Sequence, residues 1–258
     1  MRIYKFAPMK TIPLIALVAT LLTACHSNKQ DLEVLVKVNT SLQHSIHIVT
    51  GENQVALERL NSAFAKDPNV VKPYKNAGDI ATRQSDEMIH FIGDMKVELV
   101  KRIDKTMCMD KADTMLEHFD KKDERIKASY IMLEGTMQDM NGRTVCLGQE
   151  LKSRLNDYRK KMLALCQFNR DTAIFHSELL TPDKYDAEIG QVEPWEVYTF
   201  KNLPLVADIV MLSKLELDIR NMESESLNYF YYSIPITDSW REWNWHTFDS
   251  MKHSKPLR

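Results

Sequence analysis

Apolar residues in this chain recur every three or four positions over long stretches, and that spacing commits it to helices. From Asp31 to Thr50 they fall at Leu35, Val38, Leu42, Ile46 and Val49. Gly51 interrupts weakly, and Val55, Leu57, Leu60 and Phe64 continue the pattern until Asp67-Pro68 stops it. A second helix is predicted from about Lys72 to Lys105, with Ile80, Met88, Phe91, Ile92, Met95, Leu99 and Ile103 as its stripe. Ser85 and Asp86 permit a local break in it. A third covers about Arg143 to Arg170, with Cys146, Leu147, Leu151, Leu155, Tyr158, Met162 and Leu165 on its face. The last opens at Pro204, a residue favoured at a first helical position, and carries Val206, Ile209, Val210, Leu212, Leu215, Ile219, Met222, Leu227 and Phe230.

Between these helices the signals weaken. Residues 106–142 read as a charged connection through Asp110, Asp113, Asp120, Lys121, Lys122 and Asp123, ending in an Asn141-Gly142 turn. Residues 171–202 read as a long excursion containing Pro182 and Pro194. Nothing alternates with period two for long, and glycine, at 7 residues, is scarce. The expectation is an all-α fold, an elongated bundle of about four long helices. Its core should run along Leu35, Leu42, Leu60, Ile92, Leu99, Leu151, Leu155, Ile209, Leu212 and Ile219.

The N-terminus carries the most specific local signal. Arg2, Lys5 and Lys10 precede an apolar run from Ile12 to Leu22, followed by Leu22-Thr23-Ala24-Cys25. A positive segment, a short apolar segment and small residues before the cut make a secretory signal. The cysteine after Leu-Thr-Ala resembles the lipobox of bacterial lipoproteins. That resemblance implies cleavage after residue 24 and acylation of Cys25, which anchors the protein to a membrane. Met9 opens a second complete signal. The apolar stretch from Thr11 to Ala24 is too short for a spanning helix, which needs about 20 residues. Residues 25–30 then read as a lipid-anchored linker, His-Ser-Asn-Lys-Gln after the cysteine, without the compact acidic cluster of surface-exported lipoproteins. The anchored protein is therefore expected to face the periplasm, at the inner or the outer membrane.

Loss of the signal leaves 31 basic against 36 acidic side chains, which offers no general attraction to nucleic acid. Cys108, Cys146 and Cys166 remain, an odd number. Cys146 and Cys166 on one straight helix stand roughly 30 Å apart and cannot bridge. Cys108 could reach either one, and buried free thiols are an equal alternative.

Candidate chemistry is thin. His44 and His47 could share a helix face as metal ligands do, yet no matching ligand pair stands elsewhere, so they read as surface histidines. No nucleophile-elbow, zinc-protease, phosphate-loop or dinucleotide motif is present. Glu216, Asp218, Glu223 and Glu225 on the last helix read as a solvated acidic face rather than catalytic carboxylates. Trp240, Trp243 and Trp245 mark a Trp-rich tail over residues 233–258 that either caps the bundle or binds a partner or sugar. No catalytic residue, metal or cofactor is expected.

The last helix adds a resemblance. Residues 195–230 carry Trp195, Tyr198 and Phe200, then Pro204 opening a long helix, then Leu212, Ser213, Lys214, Asp218, Glu223 and Tyr229. This pattern resembles the end of the N-terminal periplasmic domain of the GldM family, also called PorM, of gliding motility and type IX secretion in Bacteroidetes. The stretch from Met140 through Leu147 and Leu151 to Leu165 is similar to the preceding part of that domain, and the resemblance covers most of residues 31–232. The family implies a homodimer and envelope protein partners. Its members carry one transmembrane helix of a proton-driven motor and β-sandwich domains after the helical one. Here a lipobox signal stands in place of that helix, and the sequence ends at Arg258. The expectation is a non-enzymatic, lipid-tethered accessory subunit. The alternative is an envelope lipoprotein that binds a small ligand or glycan, or an unrecognised enzyme. Overhanging apolar residues such as Ile46, Val49, Phe91 and Ile92 offer a dimer seam.

Overall fold

The computed structural model describes residues 29–103, 125–134, 137–138, 142, 144–166, 179–187 and 190–235. Cys25, Cys108 and the Trp240–Trp245 cluster lie outside the described residues. Four long helices form the bundle: α1 (Lys29–Lys66), α2 (Pro68–Ile103), α4 (Leu147–Leu165) and α6 (Leu205–Ser233). Two short helices, α3 (Arg125–Leu133) and α5 (Trp195–Phe200), pack at the side. Two antiparallel ribbons complete the described structure: β1 (Met137–Gln138) with β2 (Thr144–Val145), and β3 (Lys184–Asp186) with β4 (Gln191–Glu193). Among the described residues no helix is long and apolar enough to cross a membrane.

The 38 residues of α1 run through Gly51 without a break, about 57 Å at 1.5 Å per residue. Asp67 ends it and caps the next helix, accepting the Val70 N–H at 3.3 Å. Pro68 is therefore the first residue of α2, four residues before the predicted start. A proline costs nothing where the N–H has no helical partner. Ser85 does not break α2. It is fully buried, donates to the Ala81 carbonyl at 3.0 Å and meets the Tyr158 hydroxyl at 2.9 Å. Ile80, placed on the stripe by spacing, is 36% exposed instead.

Long-range contacts set the helix directions. Along α1 and α6, Asn39 and Gln43 meet Ser213, and Asn53 meets Glu223, so residue numbers rise together and these helices run parallel. Lys96 meets Glu216 and Asp86 meets Arg220, so α2 runs against them. Tyr158 donates to the Ile219 carbonyl, which ties α4 to α6. Seventeen of the 29 residues of α6 are buried, which makes it the central helix. All ten predicted core residues are buried, nine of them at or below 3% exposure. Close approach is set by two glycines. A methyl on Gly78 would lie 2.8 Å from Leu60 and 3.3 Å from Leu227, where α1, α2 and α6 meet. A methyl on Gly148 would lie 2.9 Å from Glu196 and 3.1 Å from the Met132 carbonyl, where α4, α5 and α3 meet.

Several expectations are corrected. Within residues 106–142, Ala128, Ile131 and Met132 give α3 a two-turn apolar face that the charged residues before it obscure. The excursion at 171–202 holds β3, β4 and α5, and the third helix spans Leu147–Leu165 rather than Arg143–Arg170. Pro204 is the residue before α6, with ψ 151°, and its carbonyl accepts the Ala207 N–H at 2.8 Å. Of the four overhanging apolar residues, Ile46 and Val49 are half-buried on α1 and the two on α2 are covered within the chain. Ile92 is fully buried within the chain, and the Arg154 guanidinium covers the Phe91 ring at 4.1 Å. Cys146 and Cys166 flank α4 as buried free thiols. Burial pushes the Cys166 thiol up to about 12 and raises that of Cys146.

Candidate functional site

The densest polar arrangement lies inside the bundle, on the side of α6 turned toward α1 and α2. Lys96, 1% exposed, places its ammonium 2.9 Å from Glu216 Oε2 and donates to Ser213 Oγ at 2.7 Å. The Ser213 hydroxyl donates to Asn39 Oδ1 at 2.6 Å and accepts from Gln43 Nε2 at 3.2 Å. One turn and a half further on, Arg220 bridges Glu223 at 2.7 Å and Asp86 at 2.8 Å. Asn53 Nδ2 donates to the Arg220 carbonyl at 2.9 Å and to Glu223 Oε2 at 3.0 Å. Lys214 pairs with Asp218 on the flank of the same helix.

The acidic cluster is therefore not a solvated face. Glu216, Asp218 and Glu223 are buried, and only Glu225 is exposed. A buried carboxylate requires a paired, hydrogen-bonded cation, and each of the three has one. This seam holds α6 in register with α1 and α2 by direction-dependent contacts that apolar packing alone does not supply.

Asp208, in the first turn of α6, is the exception. It is fully buried, and neither carboxylate oxygen has a hydrogen-bond partner among the described residues. Burial alone holds its pKa well above the usual carboxylate value.

A second polar group ties α4 to the β3–β4 ribbon and α5. Lys152 bridges Asp183 and Glu196, and Asp183 also accepts the Trp195 N–H at 2.7 Å. The Lys152 ammonium and the Trp195 N–H hold the Asp183 carboxyl below its usual range. Burial works against the Lys152 charge, but Asp183 and Glu196 outweigh it and raise its pKa. The Tyr198 hydroxyl donates to the Pro182 carbonyl at 2.7 Å, while Lys184 lies 4.1 Å over its ring. Trp195 and Phe200 are buried edge to face, with centroids 5.7 Å apart. Asn202 turns the chain from α5 into α6 at φ 60°, with its N–H on Ser129 Oγ.

The structure thus gathers the quoted motif residues into two groups. Trp195, Tyr198 and Phe200 build the α4–α5 corner, and Pro204 leads into α6. Ser213 and Glu223 lie in the seam of α6, Lys214 pairs with Asp218 on its flank, and Leu212 is fully buried. Sequence reasoning missed Lys96, Asn39 and Asp208. Each carried a signal, since a polar residue stands at an apolar-face position: Lys96 between Ile92 and Leu99, Asn39 between Leu35 and Leu42, Asp208 four before Leu212. His44 and His47 are both exposed on α1.

The profile of the GldM N-terminal domain matches residues 32–233. The chain belongs to the GldM N-terminal domain family. That membership relates it to the envelope proteins of gliding motility and type IX secretion, a family not known for enzymes. No curated protein matches the chain. In this GldM-type domain the match begins in the first turn of α1 and ends at the last residue of α6, so it takes in both polar groups.

Proposed function

We propose that this chain is a non-enzymatic lipoprotein of the cell envelope, tethered by acyl groups on Cys25 and facing the periplasm. Its helical bundle serves as an accessory subunit that binds protein components of a gliding or type IX secretion assembly. The observation that carries this reading is the GldM N-terminal domain match over residues 32–233, placed directly after Leu22-Thr23-Ala24-Cys25. Trp195, Tyr198, Phe200, Pro204, Leu212, Ser213, Lys214, Asp218 and Glu223 contribute by holding the bundle in one shape, because most of them face its interior. The bundle also self-associates as a homodimer, the commonest closed assembly.

The anchor is tested at Cys25. The parent protein should incorporate a fatty-acid analogue and stay with membranes through a carbonate wash. Cys25→Ala should lose the label and leave the membrane fraction. A Cys25→Ala protein that remains on washed membranes would overturn the lipid anchor.

A further inference from the structure

An open groove of about 520 Å³ runs between α1 and α6, with Ile48, Glu52, Val55 and Arg59 on one wall and Ser224 and Asn228 on the other. The four α1 residues follow one another at four, three and four positions, so apolar and charged groups alternate along a single helical face. Ile48 and Val55 are 48% and 49% exposed, and nothing lies within 4 Å of where a Gly51 side chain would begin. The groove opens at the end of the bundle where α6 stops. Asn228 is five residues from Ser233, the last of α6. Arg59 stands near enough to Tyr231 for its charge to offset part of the burial that raises the tyrosine's pKa. The described chain leaves that same end at Pro235, and residues 236–258 follow, beyond the matched domain of residues 32–233. Their first half carries Asp238, Trp240, Arg241, Trp243 and Trp245, and three indoles within six residues are costly to leave in water.

We propose that this groove is the docking site of the chain's own Trp-rich tail, which turns back after Pro235 and runs along α1 from Arg59 toward Ile48. Reach allows it. Asp238 follows Ser233 by five residues, up to about 16 Å of extended chain, and Asn228 lies only about 7.5 Å back along α6. Spacing and charge fix the register. Counted from Arg59 at 1.5 Å per helical residue, Val55 lies about 6 Å along the groove, Glu52 about 10 Å and Ile48 about 16 Å. Counted from Asp238 at about 3.1 Å per residue of extended chain, Trp240 lies about 6 Å along, Arg241 about 9 Å and Trp243 about 16 Å. Asp238 therefore meets Arg59, Trp240 meets Val55, Arg241 meets Glu52 and Trp243 meets Ile48. Each charge finds its opposite, and each indole an exposed apolar side chain. A three-residue repeat keeps Asp238 and Arg241 on one side of the tail and Trp240 and Trp243 on the next, so both pairs can face the groove. The open space over Gly51 lies between Val55 and Ile48, where the indoles need it.

Cysteine crosslinking of the mature chain from His26 tests the docking, with the parent chain as control for its native thiols. Ser239→Cys marks the tail without touching a proposed contact. Ser62→Cys marks the groove's open end, exposed on the α1 face one turn beyond Arg59. Asn76→Cys is the comparison. It is exposed on α2 at the same end of the bundle, two residues from Gly78, which packs beside Leu227 of α6. A short bis-maleimide should link Ser239→Cys to Ser62→Cys within one chain at least tenfold faster than to Asn76→Cys. Adding Glu52→Arg should slow that link at least threefold, and further adding Arg241→Glu should restore it. These positions are on the surface, so circular dichroism should match the parent. Equal rates at Ser62→Cys and Asn76→Cys, or no link at either, would overturn the proposal. A Ser62–Ser239 link found only between two chains would give the groove to a second copy and overturn it too. A Glu52→Arg variant that links as fast as its parent pair would contradict the register on which the proposal stands.

Discussion

Lys96→Met is expected to destabilise the bundle by about 3–5 kcal/mol, the usual cost of removing one partner from a buried ion pair. The substitution keeps the length of the side chain and its packing. It takes the ammonium from the Glu216 carboxylate and from Ser213, both buried. The companion change Glu216→Leu should recover most of that loss in the double variant, because an apolar pair of similar volume needs no desolvation of charge. Urea unfolding of the parent, the two single variants and the double variant gives the coupling directly. A Lys96→Met protein within 1 kcal/mol of the parent would show that the pair contributes no more than a surface bridge.

Asp208→Leu is expected to act in the opposite direction. Leucine is close to aspartate in shape, and it removes two buried oxygens that have no partner among the described residues. Leaving such a group unsatisfied costs about 1–3 kcal/mol, so the variant should gain stability of that order even where the parent's carboxyl is protonated. The gain should grow with pH. The folded carboxyl holds its proton more tightly than the unfolded one, whose pKa is about 3.9. For this group, parental stability is fully present below that value and is lost as pH rises toward the raised folded pKa. The difference between Asp208→Leu and parent should therefore widen from about pH 4 upward. Thermal unfolding over that range checks both parts, and a variant less stable than the parent at neutral pH would contradict them.

The helices and their core were legible because a three-to-four spacing of apolar residues carries over directly into a buried face. Leu35, Leu42, Leu60, Ile92 and Leu99 all sit where that spacing puts them. Boundaries were less so. Pro68 and Pro204 each mark a helix start, but one is the first helical residue and the other precedes it. The difference lies in Asp67, whose carboxylate caps α2 and leaves Pro68 free to be helical. The polar seam was misread for a physical reason. Glu216, Asp218 and Glu223 look like a hydrated face when only their own helix is considered. Their burial depends on Lys96, Lys214 and Arg220, and Lys96 lies 120 residues away in sequence. A single helix pattern carries no information about such a partner, although Lys96 at a core position was the available clue. Short elements such as α5 and the β3–β4 ribbon were hidden because their stability comes from Lys152, Asp183 and Glu196 rather than from periodicity.

The claim that this bundle is an envelope interaction subunit is tested most directly by chemical crosslinking in native membranes. The tagged protein is captured under denaturing conditions and its crosslinked partners are identified by mass spectrometry. The account predicts envelope proteins of a gliding or type IX secretion assembly, with the crosslinked residues mapping to the surface of the bundle. Recovery of no envelope protein above an untagged control, in cells where the assembly is present, would contradict it.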